Sequence, residues 1–354
     1  MKALITSGGR GTRLRPITHT QNKHLIPIAN KPILFYALEH VAAAGIRDVG
    51  IIVAAGSDEV PRVVGDGTAW GLRTTYIEQD APRGLAHCVL IAEDFIGRDK
   101  FVFYLGDNLV IGGICRFAEE FQCLGSNCHL TLAAVKDPER FGVPEIRDGR
   151  IVRIVEKPSR PASQYAVAGI YFYDETIFEA VKSIRPSARG ELEISDAHQY
   201  LLDHGRTVTY SEITGWWKDT GKPEDLLEAN RLVLDNMESD IRGRVDGRSH
   251  VAGALVLGEG SEVRDSVIRG PVSIGRRTII ENAYIGPFTS IGDDCRVRNS
   301  EIEFSIVLQG CQILDVGLRI EGSLLGCEVT VKRCREKPRT HRFYIGDQSI
   351  VEVS

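Results

Sequence analysis

The chain has no C-x-x-C pair, and its eight cysteines (88, 115, 123, 128, 295, 311, 327 and 334) form no close quartet with histidine. That argues against a zinc or redox-motif site and is what reduced thiols of a cytoplasmic protein look like. A secretory leader is not expected either, because the first apolar stretch, Ala3–Ile5, gives way at once to Gly8, Gly9, Arg10 and Arg13. Long hydrophobic runs are missing. Ile51–Ala55 and Val89–Ala92 are unbroken, but a membrane-spanning helix needs about 20 such residues. An excess of positive charge is missing as well: 43 Lys+Arg stand against 48 Asp+Glu, a net charge of −5. Neither nucleic acid nor an anionic membrane is expected as a partner of such a chain.

What is present is ordinary in bulk, with 43% hydrophobic and 26% charged residues among 354. At roughly 150 residues per domain, the length suggests two domains. Glycine stands out, with 36 residues, and its placement carries information. The first 240 residues alternate strand and helix patterns. Lys2–Ser7, Asp48–Ala54, Leu72–Ile77 and Phe101–Leu105 read as strands. Pro32–Ala44, with Ile33, Leu34, Leu38, Val41 and Ala42 at helical spacing, and Gly84–Ile96 read as helices. Such alternation predicts an open α/β sheet, mostly parallel, which binds ligands beyond the carboxyl ends of its strands. The glycines at 8, 9 and 11, and Asp107, fall at such ends.

From Val245 onward the texture changes. A shift of 17 residues aligns Val251, Ile268, Ile285 and Ile302 in one column. It aligns Leu257, Ile274, Ile291 and Leu308 in a second, and Val263, Ile280, Val297 and Leu314 in a third. Gly258, Gly275 and Gly292 make a fourth column, broken at Gln309. Three aliphatics per coil, spaced six, six and five apart, predict a three-sided β-helix of hexapeptide repeats. A sandwich with regular turns is the competing reading, but it does not require columns at one period.

The segment Ser7–Pro16 follows the first strand and carries three glycines and three arginines. Glycines let backbone N–H groups approach phosphate closely. The segment lacks the Gly-Lys-Ser/Thr of a Walker A loop, and Leu14 occupies the third glycine position of a dinucleotide fingerprint. A structural turn competes, and the arginines favour a polyphosphate site.

These residues, read together, carry a resemblance. Gly8-Gly-x-Gly-Thr-Arg-Leu-x-Pro16, Lys23, Pro27 and Lys31-Pro32 resemble the signature of sugar-1-phosphate nucleotidylyltransferases. Leu105-Gly-Asp-Asn108 resembles that family's metal-binding strand end, and Val155-Glu-Lys-Pro158 its sugar-phosphate motif. Arg189–Asp196 and Trp217-Lys-Asp-Thr-Gly221 resemble motifs of the glucose-1-phosphate thymidylyltransferases in particular. The match runs to about residue 235. The repeats beyond it, and the end Phe343–Val351, resemble the long form associated with deoxysugar pathways. Ser7, where many members have Ala, and Phe141, where many have Tyr, depart from the pattern without removing a required group.

The resemblance implies a Rossmann-like nucleotidyltransferase fold over 1–240, a linker at 241–249, a left-handed parallel β-helix over 250–336 and a C-terminal tail at 337–354. It implies condensation of glucose 1-phosphate with dTTP to dTDP-glucose and pyrophosphate. Two anions must meet in that reaction, so positioning and charge neutralisation are the protein's task. Arg13 and Lys23 would neutralise the triphosphate. Asp107 and Asp219 would hold Mg²⁺, a hard cation suited to carboxylate and phosphate oxygens. Gly8, Gly9, Gly11, Thr12, Gln79 and Gly84 would join Asp107 around the nucleotide, Gln79 reading the base edge. Gly142, Glu156, Lys157, Val167, Arg189, Glu191 and Trp217 would form the sugar-phosphate side. Each has a bland alternative: Asp107 as a helix cap, Asp219 as a turn residue, Lys157 and Gln79 as solvated surface groups, Trp217 as core.

Uracil and thymine share one hydrogen-bonding edge, so a uridylyltransferase is the nearest rival. A bifunctional enzyme with acyl transfer in the β-helix is another. Acyl transfer usually wants a histidine base, and none lies between Val251 and Thr340. The repetitive coil faces suit assembly instead, and a homotrimer or homotetramer is expected.

Overall fold

A computed structural model describes residues 1–9, 11–334, 336 and 341–353. Arg10 of the glycine-rich segment and part of the expected tail lie outside the described residues. Packing divides the chain into two units. The first comprises Met1–Arg10, Asn22–Leu25 and Ile33–Asp219, and the second Gly11–Gln21, Ile26–Pro32 and Thr220–Ser354. A pattern read along the chain places one boundary near residue 240. It has no means of registering that two short N-terminal stretches pack with residues more than 200 positions later.

The first unit is built on a seven-stranded sheet. Its strands are β1 (Lys2–Thr6), β2 (Asp48–Ala54), β3 (Arg73–Gln79), β4 (Phe101–Leu105), β5 (Cys128–Ala134), β6 (Tyr165–Tyr173) and β7 (Val208–Glu212), in the order β7-β5-β6-β4-β1-β2-β3. Strands β1 to β4 are mutually parallel, and β7 is parallel to β5. Strand β6 runs antiparallel to both β4 and β5. Continuous apolar runs make β1, β2, β4, β5 and β6 the central strands, with both faces covered, while β3 and β7 form the edges. Leu4, Phe101 and Phe103 enter the core on one face, and Ala3, Ile5, Val102 and Tyr104 the core on the other.

Helix α1 (Ile33–Ala43) buries Ile33, Leu34, Ala37, Leu38 and Val41, a single stripe at helical period. The helix expected over 84–96 is divided. Helix α2 (Leu85–Ile91) and a short helix at Glu93–Ile96 flank Ala92, whose ψ of 1° interrupts the helical run. Helix α3 (Ile194–Asp203) completes the elements that frame the site.

In the second unit, short parallel strands stack into sheets of six, six and five members, the three sides of a β-helix. Ile268, Ile285 and Ile302 stack fully buried, as do Val263, Ile280 and Val297. The 17-residue period fails at the fourth coil. Ile291 pairs with Val307, not Leu308, and Val297 with Ile313, not Leu314. Adjacent aliphatics at 307–308 and 313–314 made either choice plausible in sequence. The coil is one residue shorter at that point, and it is Ile313 that enters the core. The expected linker at 241–249 is not free of the β-helix: Asp240–Ile241 and Arg244–Val245 already pair with the next coil.

Two further pieces belong to this unit. Helix α4 (Pro223–Asp235) opens with Pro at its first turn, where the missing N–H costs nothing. A hairpin pairs Pro27–Ile28 with Lys31–Pro32 through a turn in which Ala29 and Asn30 both have positive φ. Such two-residue turns favour Asn. Asn30 Nδ2 donates to Ser273 Oγ and to Ile291 O, at 2.9 Å each.

Candidate active site

Because β1 to β4 are parallel, their carboxyl ends share one edge of the sheet. Gly8 and Gly9 follow β1, Gln79 closes β3, and Asp107 follows β4. The antiparallel β6 brings its N-terminal half, with Val167 and Gly169, to the same edge. Val167 itself is buried in the core.

Lys23 and Asp107 form an ion pair there, Nζ to Oδ2. Gly9 makes this possible, since a Cβ at that position would lie 2.8 Å from Lys23 Cε. Burial alone would raise the Asp107 pKa, but the Lys23 charge and hydrogen bonds from Lys23 and Asn108 outweigh it and hold the carboxyl well below its usual range. His24, next in the chain, is pushed down to about 3, first by burial and then by Lys23. It is therefore neutral, and its Nδ1–H donates to Asn22 Oδ1 at 2.9 Å. Asn22 Nδ2 in turn donates to Ser7 O at 3.0 Å, tying this segment to the end of β1.

Asn108 is a junction that the motif contained but to which sequence reasoning assigned no role. Its amide donates to Asp107 Oδ1 at 3.0 Å, and its Oδ1 accepts from Trp217 Nε1 at 2.8 Å and from Gly169 N at 3.2 Å. The strand Trp217–Asp219 pairs antiparallel with Asn108–Val110, which sets Asp219 opposite Asn108 and one residue from Asp107. The Tyr171 hydroxyl is pushed up by burial and then by the negative charges of Glu156, Asp107 and Asp219. Trp217 also meets Phe141 edge-on, with centroids 5.4 Å apart.

Five of the expected sugar-phosphate residues, Gly142, Glu156, Lys157, Arg189 and Glu191, come together. Glu156 pairs with Gly142 across two antiparallel strands. Its carboxylate accepts from Ser195 Oγ at 2.7 Å and lies 3.6 Å from Lys157 Nζ and 3.5 Å from Arg189 Nη2. Arg189 is held chiefly by Glu193, at 2.8 Å, with Glu191 at 3.9 Å. Ser195 and Glu193 lie within the 189–196 motif, but nothing in the sequence by itself marks them as partners of Glu156 and Arg189. On the nucleotide side, Gln79 is buried, and its Nε2 lies 3.1 Å from His87 Nδ1. The glycine at 84 has a protein reason: a Cβ there would sit 2.4 Å from Leu192 O.

Gly11, Thr12 and Arg13 belong to the second unit. Gly11 has φ 59° and accepts from Thr18 Oγ1 at 2.7 Å, and Thr12–Leu14 forms a short helical turn that leaves Thr12 and Arg13 exposed. Among the described residues, no cluster of three or more His, Cys, Asp or Glu could hold a metal by itself. Asp107, in the turn before Asn108, and Asp219, on the strand opposite Asn108, are hard oxygen donors of the kind that could hold a divalent cation whose remaining ligands come from phosphates and water. The edge thus offers cations for phosphate beside carboxylates for hydroxyls or a metal, which is the equipment of phosphoryl-group transfer.

The chain belongs to the nucleotidyl transferase family, whose pattern it matches over residues 2–236. Within that family it falls with the glucose-1-phosphate thymidylyltransferases. It is 51% identical to the one from Streptomyces griseus over 355 residues, covering 100% of both chains. Identity to the enzyme from Streptomyces antibioticus is 52%, covering 100% of this chain and 99% of that one. A Bacillus anthracis protein described as a glucose-1-phosphate thymidylyltransferase, solved in complex with sucrose, aligns with a TM-score of 0.64 at 41% identity. That alignment covers 68% of this chain and 98% of the other.

Proposed function

We propose that the protein condenses glucose 1-phosphate with dTTP, giving dTDP-glucose and pyrophosphate for deoxysugar synthesis. A phosphate oxygen of glucose 1-phosphate attacks the α-phosphorus, and the bond from that phosphorus to the oxygen bridging to the β-phosphorus breaks in line. The attacking phosphate is already ionised, so no general base is required. The observation that carries the reading is the Lys23–Asp107 pair at the carboxyl edge of the sheet, with Asp219 on the neighbouring strand. Mg²⁺ held by Asp107 and Asp219 would neutralise phosphate charge. Lys23, released from Asp107, and Arg13 would meet the charge that develops at the reacting phosphates. Lys157 and Arg189 would grip the sugar phosphate, while Glu156 and Glu191 accept from glucose hydroxyls. Gln79 would read the base edge, and Gly8, Gly9, Gly11, Thr12 and Gly84 would line the nucleotide. Gly142, Val167 and Trp217 would complete the sugar side.

One methyl is worth about 1–3 kcal/mol in a pocket, so dTTP is preferred to UTP without strict exclusion. We place the enzyme in the cytoplasm and expect a homotrimer or homotetramer, assembled through the repetitive β-helix faces. Pyrophosphate release is the test, measured with glucose 1-phosphate against dTTP, UTP, dCTP and ATP, with and without EDTA. Turnover with dTTP in Mg²⁺ that EDTA abolishes is expected. Release with ATP alone, or acetyl transfer from acetyl-CoA to glucosamine 1-phosphate, would overturn the reading.

A further inference from the structure

Gln79 carries one amino group and one carbonyl oxygen, and the structure decides which of them is committed. Nε2 lies 3.4 Å from Gly84 O and 3.1 Å from His87 Nδ1. A backbone carbonyl only accepts, so the amino side of the amide must be the side turned to Gly84. Gly84 O is itself held in place. Ala86 N donates to Leu192 O at 3.1 Å and Leu192 N to Arg83 O at 2.8 Å, pinning the loop on both sides of the glycine. With the amino group so turned, His87 Nδ1, at 3.1 Å, accepts the second hydrogen, with the Cys88 thiol also within hydrogen-bonding reach of the amide, and the imidazole is neutral with its proton on Nε2. Burial lowers the His87 pKa, with Asp80 and Arg83 acting in opposite directions, which agrees with a neutral ring. Both amino hydrogens are thereby spent on the protein. The atom Gln79 has left to offer is Oε1, an acceptor.

We propose that His87 is a positioning residue for base selection: it locks the Gln79 amide so that the site presents an acceptor and selects pyrimidines bearing N3–H. The proposal rests on the reading of Gln79 as the residue that meets the base. Thymine and uracil carry a hydrogen on N3. Cytosine has a lone pair there, which would face the Gln79 oxygen unfavourably. A ring of carbon in place of His87, or no ring at all, frees one amino hydrogen. The amide can then rotate and present its NH₂ to the cytosine N3. The discrimination therefore lives in the orientation of one amide, and His87 supplies it without touching the nucleotide.

The test compares kcat/KM for dTTP and dCTP in His87→Ala, in the space-filling His87→Phe, in His87→Asn and in Gln79→Ala, with the KM for glucose 1-phosphate as the internal control. His87→Ala and His87→Phe are each expected to lower the dTTP-to-dCTP preference by about tenfold or more, the scale of one hydrogen bond in a reading site. The glucose 1-phosphate KM stays unchanged. His87→Asn, which can place an acceptor oxygen near the Nδ1 position, is expected to restore most of the preference. Parallel loss of both nucleotides, or an unchanged preference, in whichever of His87→Ala and His87→Phe folds, overturns the proposal. Gln79→Ala separates the two layers. A preference that survives it removes the base-reading role itself. A preference lost with it but kept in the His87 variants removes only the assignment to His87.

Discussion

Asn230→Ala deletes the polar centre that joins helix α4, the hairpin at 27–32 and the β-helix within the second unit. Asn230 is fully buried. Its Oδ1 accepts from Ala29 N at 2.8 Å and from Ser290 Oγ at 2.6 Å, and its Nδ2 donates to Phe288 O at 3.0 Å. Truncation leaves three groups unpartnered, and each buried unsatisfied group costs about 1–3 kcal/mol. Ser290 is as buried as Asn230, so its hydroxyl bears the fuller penalty. Ala29 and Phe288 are only half-buried, and water recovers part of theirs. The sum is a loss of roughly 3–5 kcal/mol, assigned mostly to the three lost partners and less to the small cavity. Thermal and urea midpoints measure it, and hydrogen exchange at the Ala29 amide locates it, since protection there should fall first. Adding Ser290→Ala removes one stranded hydroxyl. The double variant should therefore be less destabilised than the sum of the singles, by about 1 kcal/mol. A midpoint shift equivalent to under 1 kcal/mol, with Ala29 still protected, would refute the reasoning.

Lys23→Ala is expected to lower kcat by roughly 10²–10³-fold, because charge at the reacting phosphates is neutralised most fully in the transition state. A rise confined to KM would make Lys23 a ground-state binder instead. Asp219→Asn should cut turnover by more than about tenfold at saturating Mg²⁺, and near-normal turnover with an intact fold removes it from the metal site. His198 is held down to about 3 by burial, from an ordinary 6.5, with the Tyr173 hydroxyl 2.5 Å from its Nε2. Below pH 6.5 the unfolded chain takes up a proton that the folded state refuses, so stability falls with acidification, by up to about 1.4 kcal/mol per pH unit. Urea midpoints between pH 7 and 5 should drop and flatten in His198→Gln, and equal slopes in the two proteins would count against this. A chain ending at Gly243 loses Ser273, Ile291, Ser290 and Phe288, the partners of Asn30 and Asn230. Its melting midpoint and particle mass should both change, and a mass lower only by the deleted residues, with the midpoint kept, contradicts that.

Much of this protein was legible along the chain because its signals are local. Continuous apolar runs require strands buried on both faces, and Asp48–Ala54 and Phe101–Leu105 came out with the expected bounds. Inward aliphatics at a near-constant spacing require coils, whatever surrounds them. The motif order likewise marked Lys23, Asp107, Glu156 and Arg189 as candidate site residues before any geometry was known, and the fold brings Lys23 to Asp107 and Arg189 to Glu156. What the chain could not determine depends on distances between remote residues. Which of Val307 or Leu308 faces inward is set by the register of the neighbouring coil, not by hydrophobicity, which the two share. Asn108, Ser195 and Glu193 sit inside motifs, yet only three-dimensional contact shows Asn108 bridging Asp107, Trp217 and Gly169. The packing of residues 11–21 and 26–32 with the C-terminal unit has no sequence signature. It rests on single hydrogen bonds such as Asn30 to Ser273, and a polar side chain reads the same in sequence whether it meets water or a coil 243 residues away. The His87–Gln79 pair follows the same rule: eight residues separate them, but the direction of one amide is decided by a carbonyl whose position the fold alone sets.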